Sequence, residues 1–470
     1  VGDEKNAGQR LFSGVGIAGA FAGFVLIGAL QALYGPAIPA VRAHYGISPA
    51  VAGLGLSAHF VGGLLGVVVF HRCCGKTGNR LLLGCSYLAM AAGAVVFAAT
   101  PPWPVALLGA FVAGLGYGSI DYGLNHLFAI GFGARSPAML NLLNAFFGVG
   151  SILAPVALAQ LGPDSYPLVF LAFAIASVVL IAALRGVRNT RVESGGAAPD
   201  RGSVLRNRSI AITGAFVVLY VLNIGVEAGA GGWEPTHLIG AGYPASAATS
   251  ATAAYWLMMT LGRFLVAPLT LRWSEQSILT WSCVGMAVCL ALAVVPSLAP
   301  WAYAGLGLFI APVFPTGLPW LHRLVPDAQR AGAYVIAASM LGGVVFPPLI
   351  GVGIALTSTT AVPIILFGLN ALCLLAIRWL LRQRGTPPRR LAQLEDEEHA
   401  MTGNSRLKTA LRRLDAWSLR VLNPPEVFLA VARHDFRHRR AERAPSARVH
   451  RATAGSCDAL AGTTFVRERC

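Results

Sequence analysis

The stretch AITGAFVVLYVLNIGVEAGAGGWEP, residues 211–235, decides the fold. Its first 22 residues carry one carboxylate, Glu227, among aliphatic, aromatic and glycine positions. At 1.5 Å per residue a helix of that length reaches about 33 Å, the thickness of a bilayer core. No water-soluble domain needs so long an apolar run, and lipid permits only backbone that is hydrogen-bonded within itself. The run therefore predicts a membrane-spanning helix.

The same reading applied outward predicts spans at about 12–34, 48–70, 80–99, 103–131, 137–160 and 165–185. It predicts six more at about 209–232, 246–270, 277–296, 299–321, 330–356 and 361–381. Composition agrees: of 470 residues 55% are hydrophobic and 12% charged, with a mean hydropathy of +0.64. The expectation is an all-α integral membrane protein of twelve transmembrane helices.

A net charge of +16 would suit nucleic acid if it were gathered on one folded face. Instead half of the 36 Lys and Arg follow Leu381, and most others sit in alternate short links. Arg72, Lys76, Arg80, Arg135, Arg185, Arg272 and Arg323 lie in those links, whereas the opposite links hold almost none, Arg42 excepted. The positive-inside rule then puts both termini in the cytoplasm and makes the chain a multi-pass protein of the plasma (inner) membrane. Nucleic acid is not expected as a partner. The alanine- and arginine-rich bias points to a bacterial source. Because a further apolar run follows the first, the first is expected to be retained and not cleaved as a signal. Eight cysteines without a CxxC pair or histidine spacing indicate neither a metal site nor a disulfide framework.

The longest internal link, 187–208, contains ESGGAAPDRG and divides six spans from six. Matches recur across it: GAF at 19–21 and 214–216, AGLG at 113–116 and 304–307, GSILAP at 150–155 and GVVFPP at 343–348. The domains expected are a six-helix bundle at 1–186, a cytoplasmic linker at 187–208, a second bundle at 209–381 and a basic tail at 382–470. Within the tail Leu407, Leu411, Leu414, Trp417 and Val421 follow helical spacing. A helix at 406–422 on an anionic membrane surface and a solvated extension both fit that pattern.

Ionisable groups inside spans cost roughly 2.5–3.5 kcal/mol each at mid-helix, so each asks for a compensating role. In GLGYGSIDYGLN of the fourth span, Tyr117, Asp121 and Asn125 recur every four residues on one face. Asp121 there serves either helix assembly or the binding of a proton, a cation or solute hydroxyls. The seventh span repeats the device with Tyr220, Asn223 and Glu227, followed by Trp233 and Glu234. An aromatic surface with carboxylate and amide groups suits a polyhydroxylated ligand, although a tryptophan such as Trp233 taken alone is more often an interfacial anchor. Asn141 and Asn144 share a face of the fifth span, and Gln31 of the first span lies near Glu227 in the repeat alignment. His59 and His126 offer proton relays or ordinary buried hydrogen bonds. Arg263 reads first as a structural cation, snorkelling or closing the cytoplasmic gate, and second as an anion-binding group.

Taken together, YVLNIGVEAGAGGWEPTHL, GRFLVAPL, GYGSIDYGLN, LNLLNAFFGVGSILAP and GLFIAPVFPTGLPW resemble the fucose/glucose-type sugar symporter branch of the major facilitator superfamily, over residues 12–381. The resemblance implies two pseudo-repeated bundles rocking about a central solute. It also implies H+- or Na+-coupled uptake of sugars or similar polar solutes by a functional monomer, with no cofactor. Asp121, Asn223, Glu227 and Trp233 would lie in or beside the central cavity. Gln31 stands in the region where fucose-type symporters carry an acidic side chain. Proton-driven efflux of an amphiphile uses the same scaffold, and a non-transporting sensor signalling through the tail is a reading from another class. An enzyme is not expected, for the chain has no paired-histidine metal motif, no GxSxG elbow and no P-loop.

Overall fold

The structure, a computed structural model, describes residues 11–188, 207–270, 272–325 and 331–383. Most of the 187–208 link and the tail with its expected helix at 406–422 lie outside the described residues. What is described is almost entirely helical: α1 (Gly14–Tyr45), α2 (Pro49–Cys73), α3 (Asn79–Ala98), α4 (Trp103–Gly131), α5 (Ser136–Leu161), α6 (Tyr166–Ile181) and α7 (Asn207–Gly240). There follow α8 (Ala245–Leu269), α9 (Glu275–Ala293), α10 (Ala299–Ile310), α11 (Val313–Leu324), α12 (Ala331–Ser339), α13 (Leu341–Leu356) and α14 (Ala361–Arg382). Among the described residues eleven helical segments are long and apolar enough to cross a bilayer. The segment expected as the tenth span runs through α10 and α11, and that expected as the eleventh through α12 and α13. The helix expected as the eighth span, α8, has 25 residues but falls outside that set, carrying Thr249, Ser250, Thr252, Thr260 and Arg263.

Local chemistry starts and stops these helices. The hydroxyls of Ser13, Ser48 and Ser274 accept from the amides of Gly16, Val51 and Ser277 and cap α1, α2 and α9. Gly46, at φ +61°, ends α1 in a left-handed turn that favours glycine. Large apolar side chains face outward, Val179 at 64% and Trp281 at 61% exposure among them. That is the surface expected where lipid is the solvent.

Close helix contacts repeat across the two halves. A Cβ on Gly114 would meet the carbonyl of His59 at 2.0 Å, and one on Gly307 would meet that of Tyr255 at 2.2 Å, so α4 and α10 reach α2 and α8 alike. The AGLG match is therefore displaced: Gly114 and Gly307 are the equivalent pair, although the motif aligns Gly114 with Gly305. Loops repeat too. The Tyr45 hydroxyl donates to the Pro101 carbonyl at 2.8 Å, and the Tyr243 hydroxyl to Pro296 at 3.0 Å.

The helices alternate between a terminal face, where Ser13 bonds Gly186 and Arg323 pairs with Glu275, and a distal face bearing Tyr45, Tyr243 and Thr359. On the distal side the halves are in contact. Gly35 abuts Gly231, Gly53 abuts Pro347 and Pro348, and Gly351 abuts Pro49. Residues Ala32–Ile38 and Ala228–Leu238 are buried all round. Through the middle of the bundle α2 packs on α13 and α5 on α8 across the halves, whereas α12 packs on α7 and α11, and α4 makes no comparable contact with α10 or α11. The molecule is closed at the distal face and cleft from the terminal face.

Candidate functional site

Polar side chains from both halves converge where the cleft ends. On α4, one helical turn separates Tyr117, Asp121 and Asn125. The Asn125 amide donates to the Asp121 side chain at 3.0 Å and to its backbone carbonyl at 3.0 Å. Its carbonyl oxygen accepts from Asn144 of α5 at 3.2 Å, and the same Asn144 amide donates to Leu140 at 2.9 Å. These bonds orient Asn125 with its NH2 toward Asp121. Asp121, Asn125 and Asn144 are all half-buried, so the chain of bonds borders the cleft. Asn141, also weighed from sequence, is exposed and outside it.

One turn further in, the Tyr117 hydroxyl donates to the Gln31 side-chain carbonyl of α1. Tyr117 lies within electrostatic reach of Asp121, Glu227 and Arg263 together. This brings carboxylates of both halves to one place. Glu227 of α7 is half-buried and interacts with the Arg263 guanidinium of α8. The Tyr255 hydroxyl donates to the Glu227 backbone carbonyl at 3.4 Å. Arg263 reaches that carboxylate through its charge and not through an ion pair, and the Met259 sulfur lies 3.8 Å from its Nη2.

Two expected members are elsewhere. Trp233 is fully buried, and its indole N–H donates to the Pro347 carbonyl at 2.9 Å, fastening α7 to α13. Asn223 is 1% exposed with neither side-chain polar atom hydrogen-bonded. Tyr220, on the same face, donates to Phe314 at 2.7 Å and ties α7 to α11.

Between the bonded set and the distal closure lies a gap of about 10 Å³, room for one water, bordered by Gln31, Tyr34, His59, Phe60, Gly231 and Trp256. The Tyr34 hydroxyl, both ring nitrogens of His59 and the Trp256 N–H are buried there without partners. His59 was noticed in the sequence, but Tyr34 and Trp256 were not. Tyr34 stands one turn from Gln31, and Trp256 follows Tyr255 as Phe60 follows His59, so the helical step and the repeat were the available signals. Unsatisfied buried donors and acceptors at a hinge between halves are what a hydroxylated ligand or its waters would satisfy. Among the described residues no group of three or more His, Cys, Asp or Glu is placed to hold a metal.

A sequence profile described as Major Facilitator Superfamily matches residues 20–310. No curated protein matches the chain by sequence. Among solved structures, the nucleoside transporter NupG superposes with a TM-score of 0.64 at 14% identity, over 78% of this chain and 98% of that one. The xylose transporter XylE from E. coli, in an inward-open conformation, gives 0.62 at 14% identity over 79% and 95%. The transporter FucP in its outward conformation gives 0.55 at 16% identity over 77% and 98%. At these identities the likeness is one of fold.

Proposed function

The chain belongs to the major facilitator superfamily, a family of membrane transporters and not of enzymes, and we propose that it carries a sugar or sugar-like polar solute by alternating access, coupled to H+ or Na+. The solute lies between the halves, against Gln31, Tyr117, Asp121, Asn125 and Asn144 on one side and Glu227 with Arg263 on the other. The terminal face is cytoplasmic, as the placement of cations argues, so the conformation is inward-facing in the plasma membrane.

One observation carries this reading: Tyr117 is bonded to Gln31 and within electrostatic reach of Asp121, Glu227 and Arg263. Neutral donors and acceptors therefore accompany both acids, a mixture matched to hydroxyl groups more than to an apolar cation. The xylose and nucleoside transporters that share the fold support a sugar or sugar-bearing polar solute.

The test is uptake of labelled D-xylose, L-fucose, D-glucose and uridine into proteoliposomes under an imposed proton gradient and then a sodium gradient. Accumulation of one solute, lost in Asp121→Asn or Glu227→Gln, is the expected result. No accumulation by folded, oriented protein rejects the reading and directs the assay to amphiphile export.

A further inference from the structure

Three carboxylates lie inside the membrane-spanning helices among the described residues, and they are housed differently. Asp121 is half-buried and bonded by Asn125; Glu227 is half-buried beside Arg263. Glu234 is fully enclosed, and neither carboxylate oxygen has a hydrogen-bond partner.

The surroundings of Glu234 are polar but carry no cation. On its own helix His237 lies one turn toward the distal face, and Glu227 lies two turns toward the cleft. α8 brings the Thr252 hydroxyl near it and Tyr255, on which the charges of both Glu234 and Glu227 act. α10 brings Tyr303, on which the charge of Glu234 also acts, and whose hydroxyl is 3.0 Å from His237 Nδ1. α13 meets this part of α7 through the Pro347 carbonyl and Trp233. From α1, Gly35 abuts Gly231, and Arg42 lines a distal pocket with Thr236. Arg263 interacts with Glu227 and Tyr255.

An ionised carboxylate enclosed without a cation costs several kcal/mol even with a hydroxyl nearby, while the neutral acid does not. Glu227 feels the charge of Arg263 and is half-buried, so this argument singles out Glu234. Its enclosure is also conditional, because the wall around residues 228–238 includes the contact of α1 with α7 between the halves. Opening the distal face parts that contact.

We propose that Glu234 is a proton-binding site separate from the solute site, loaded from the distal side through His237 and Tyr303 and emptied toward the cleft past Tyr255. Loading adds one H+ from distal water to a carboxylate oxygen and yields the neutral acid; unloading returns that H+ to cleft water, and no electron moves. The polar ladder His237, Tyr303, Glu234, Tyr255, Glu227 runs down the second half only. In the first half the equivalent of Glu227 is the amide Gln31, which cannot carry a proton. The consequence for transport rests on the reading above: the neutral acid permits the distal-closed state, so solute and proton cross together.

The proton itself is the probe. Infrared difference spectra of the full-length protein in liposomes, recorded on pH jumps, should show a carboxylic-acid C=O component that disappears in Glu234→Gln, moves in Glu234→Asp and persists in Asp121→Asn. A spectrum unchanged in Glu234→Gln overturns the proposal, as does a component that follows Na+ and not pH. If Glu234→Gln does not fold, the displaced component in Glu234→Asp decides. With a solute accepted by the wild type, Glu234→Gln should lose about tenfold or more of gradient-driven accumulation while equilibrium exchange stays within about twofold. Equal loss of both marks a structural residue and overturns the coupling role. Wild type that moves none of the panel defeats the solute assignment, and the infrared result still answers for the proton.

Discussion

Asn125 holds its neighbours by both ends of one amide, and that makes it the residue whose replacement separates packing from binding. Asn125→Leu removes the donor to Asp121 and the acceptor for Asn144. It should cost about 1–3 kcal/mol, seen as a lowered Tm of the purified protein. Asp121→Asn keeps the size of the side chain and should leave Tm near the wild-type value while uptake falls by about tenfold or more. Equal Tm losses in the two would make Asp121 a packing residue. Trp233→Phe deletes the bond to Pro347 and leaves a cavity where the larger indole is fully buried. A loss of about 2–4 kcal/mol in stability with unchanged KM is expected, and a raised KM would return Trp233 to the solute site. The four-residue step that joins Tyr117, Asp121 and Asn125 was legible in the sequence because a helix alone sets it. The inward direction of Trp233 was not, because it depends on where α13 lies.

Elements were legible where apolarity marks them and blurred where proline intervenes. The first span was expected to end near residue 34 and the seventh near 232, yet α1 runs through Pro36 and Pro39 to Tyr45, and α7 through Pro235 to Gly240. Within a bundle, neighbouring helices make up for the hydrogen bond that proline removes, so it does not end a membrane helix as it would a soluble one. The breaks inside the tenth and eleventh spans, at Ala311–Pro312 and at Met340, were likewise read as continuous. Those two helix ends matter because α12 turns away from α2 while α13 stays with it. Glycine contacts then divide into two kinds. Gly114 meets the His59 carbonyl within one half, whereas Gly35 meets Gly231 across the halves. Gly114→Leu should therefore abolish folded protein, read as loss of a monodisperse peak on gel filtration. Gly35→Leu should fold, disfavour distal closure and raise labelling of a cysteine placed at Ala32 by several-fold from the distal side. Similar labelling in the two backgrounds would mean that the distal contact does not open.

For the whole molecule, the repeat and the family were legible because a duplicated hydropathy map survives when individual residues do not. The closed distal face was not legible, since sequence describes both conformations equally. One global feature remains to be assigned a role, the basic tail that carries half of the chain's Lys and Arg. The cleft, the water-sized gap and the Glu234 ladder are all built from the described residues up to 383. Transport by rocking halves needs only groups among those residues, whereas a sensor needs whatever transmits its state to a partner. Truncation after Arg384 should thus leave Tm near the full-chain value and uptake within about twofold of it, because the groups of the solute and proton routes all remain. The same truncation should weaken binding of the detergent-solubilised protein to anionic vesicles, with the difference shrinking as salt rises, if the removed cations meet lipid headgroups. Uptake abolished in a truncated protein that still folds would show that the tail works on the halves themselves, and would shift the balance toward a receptor whose cleft reports occupancy through its C-terminal residues.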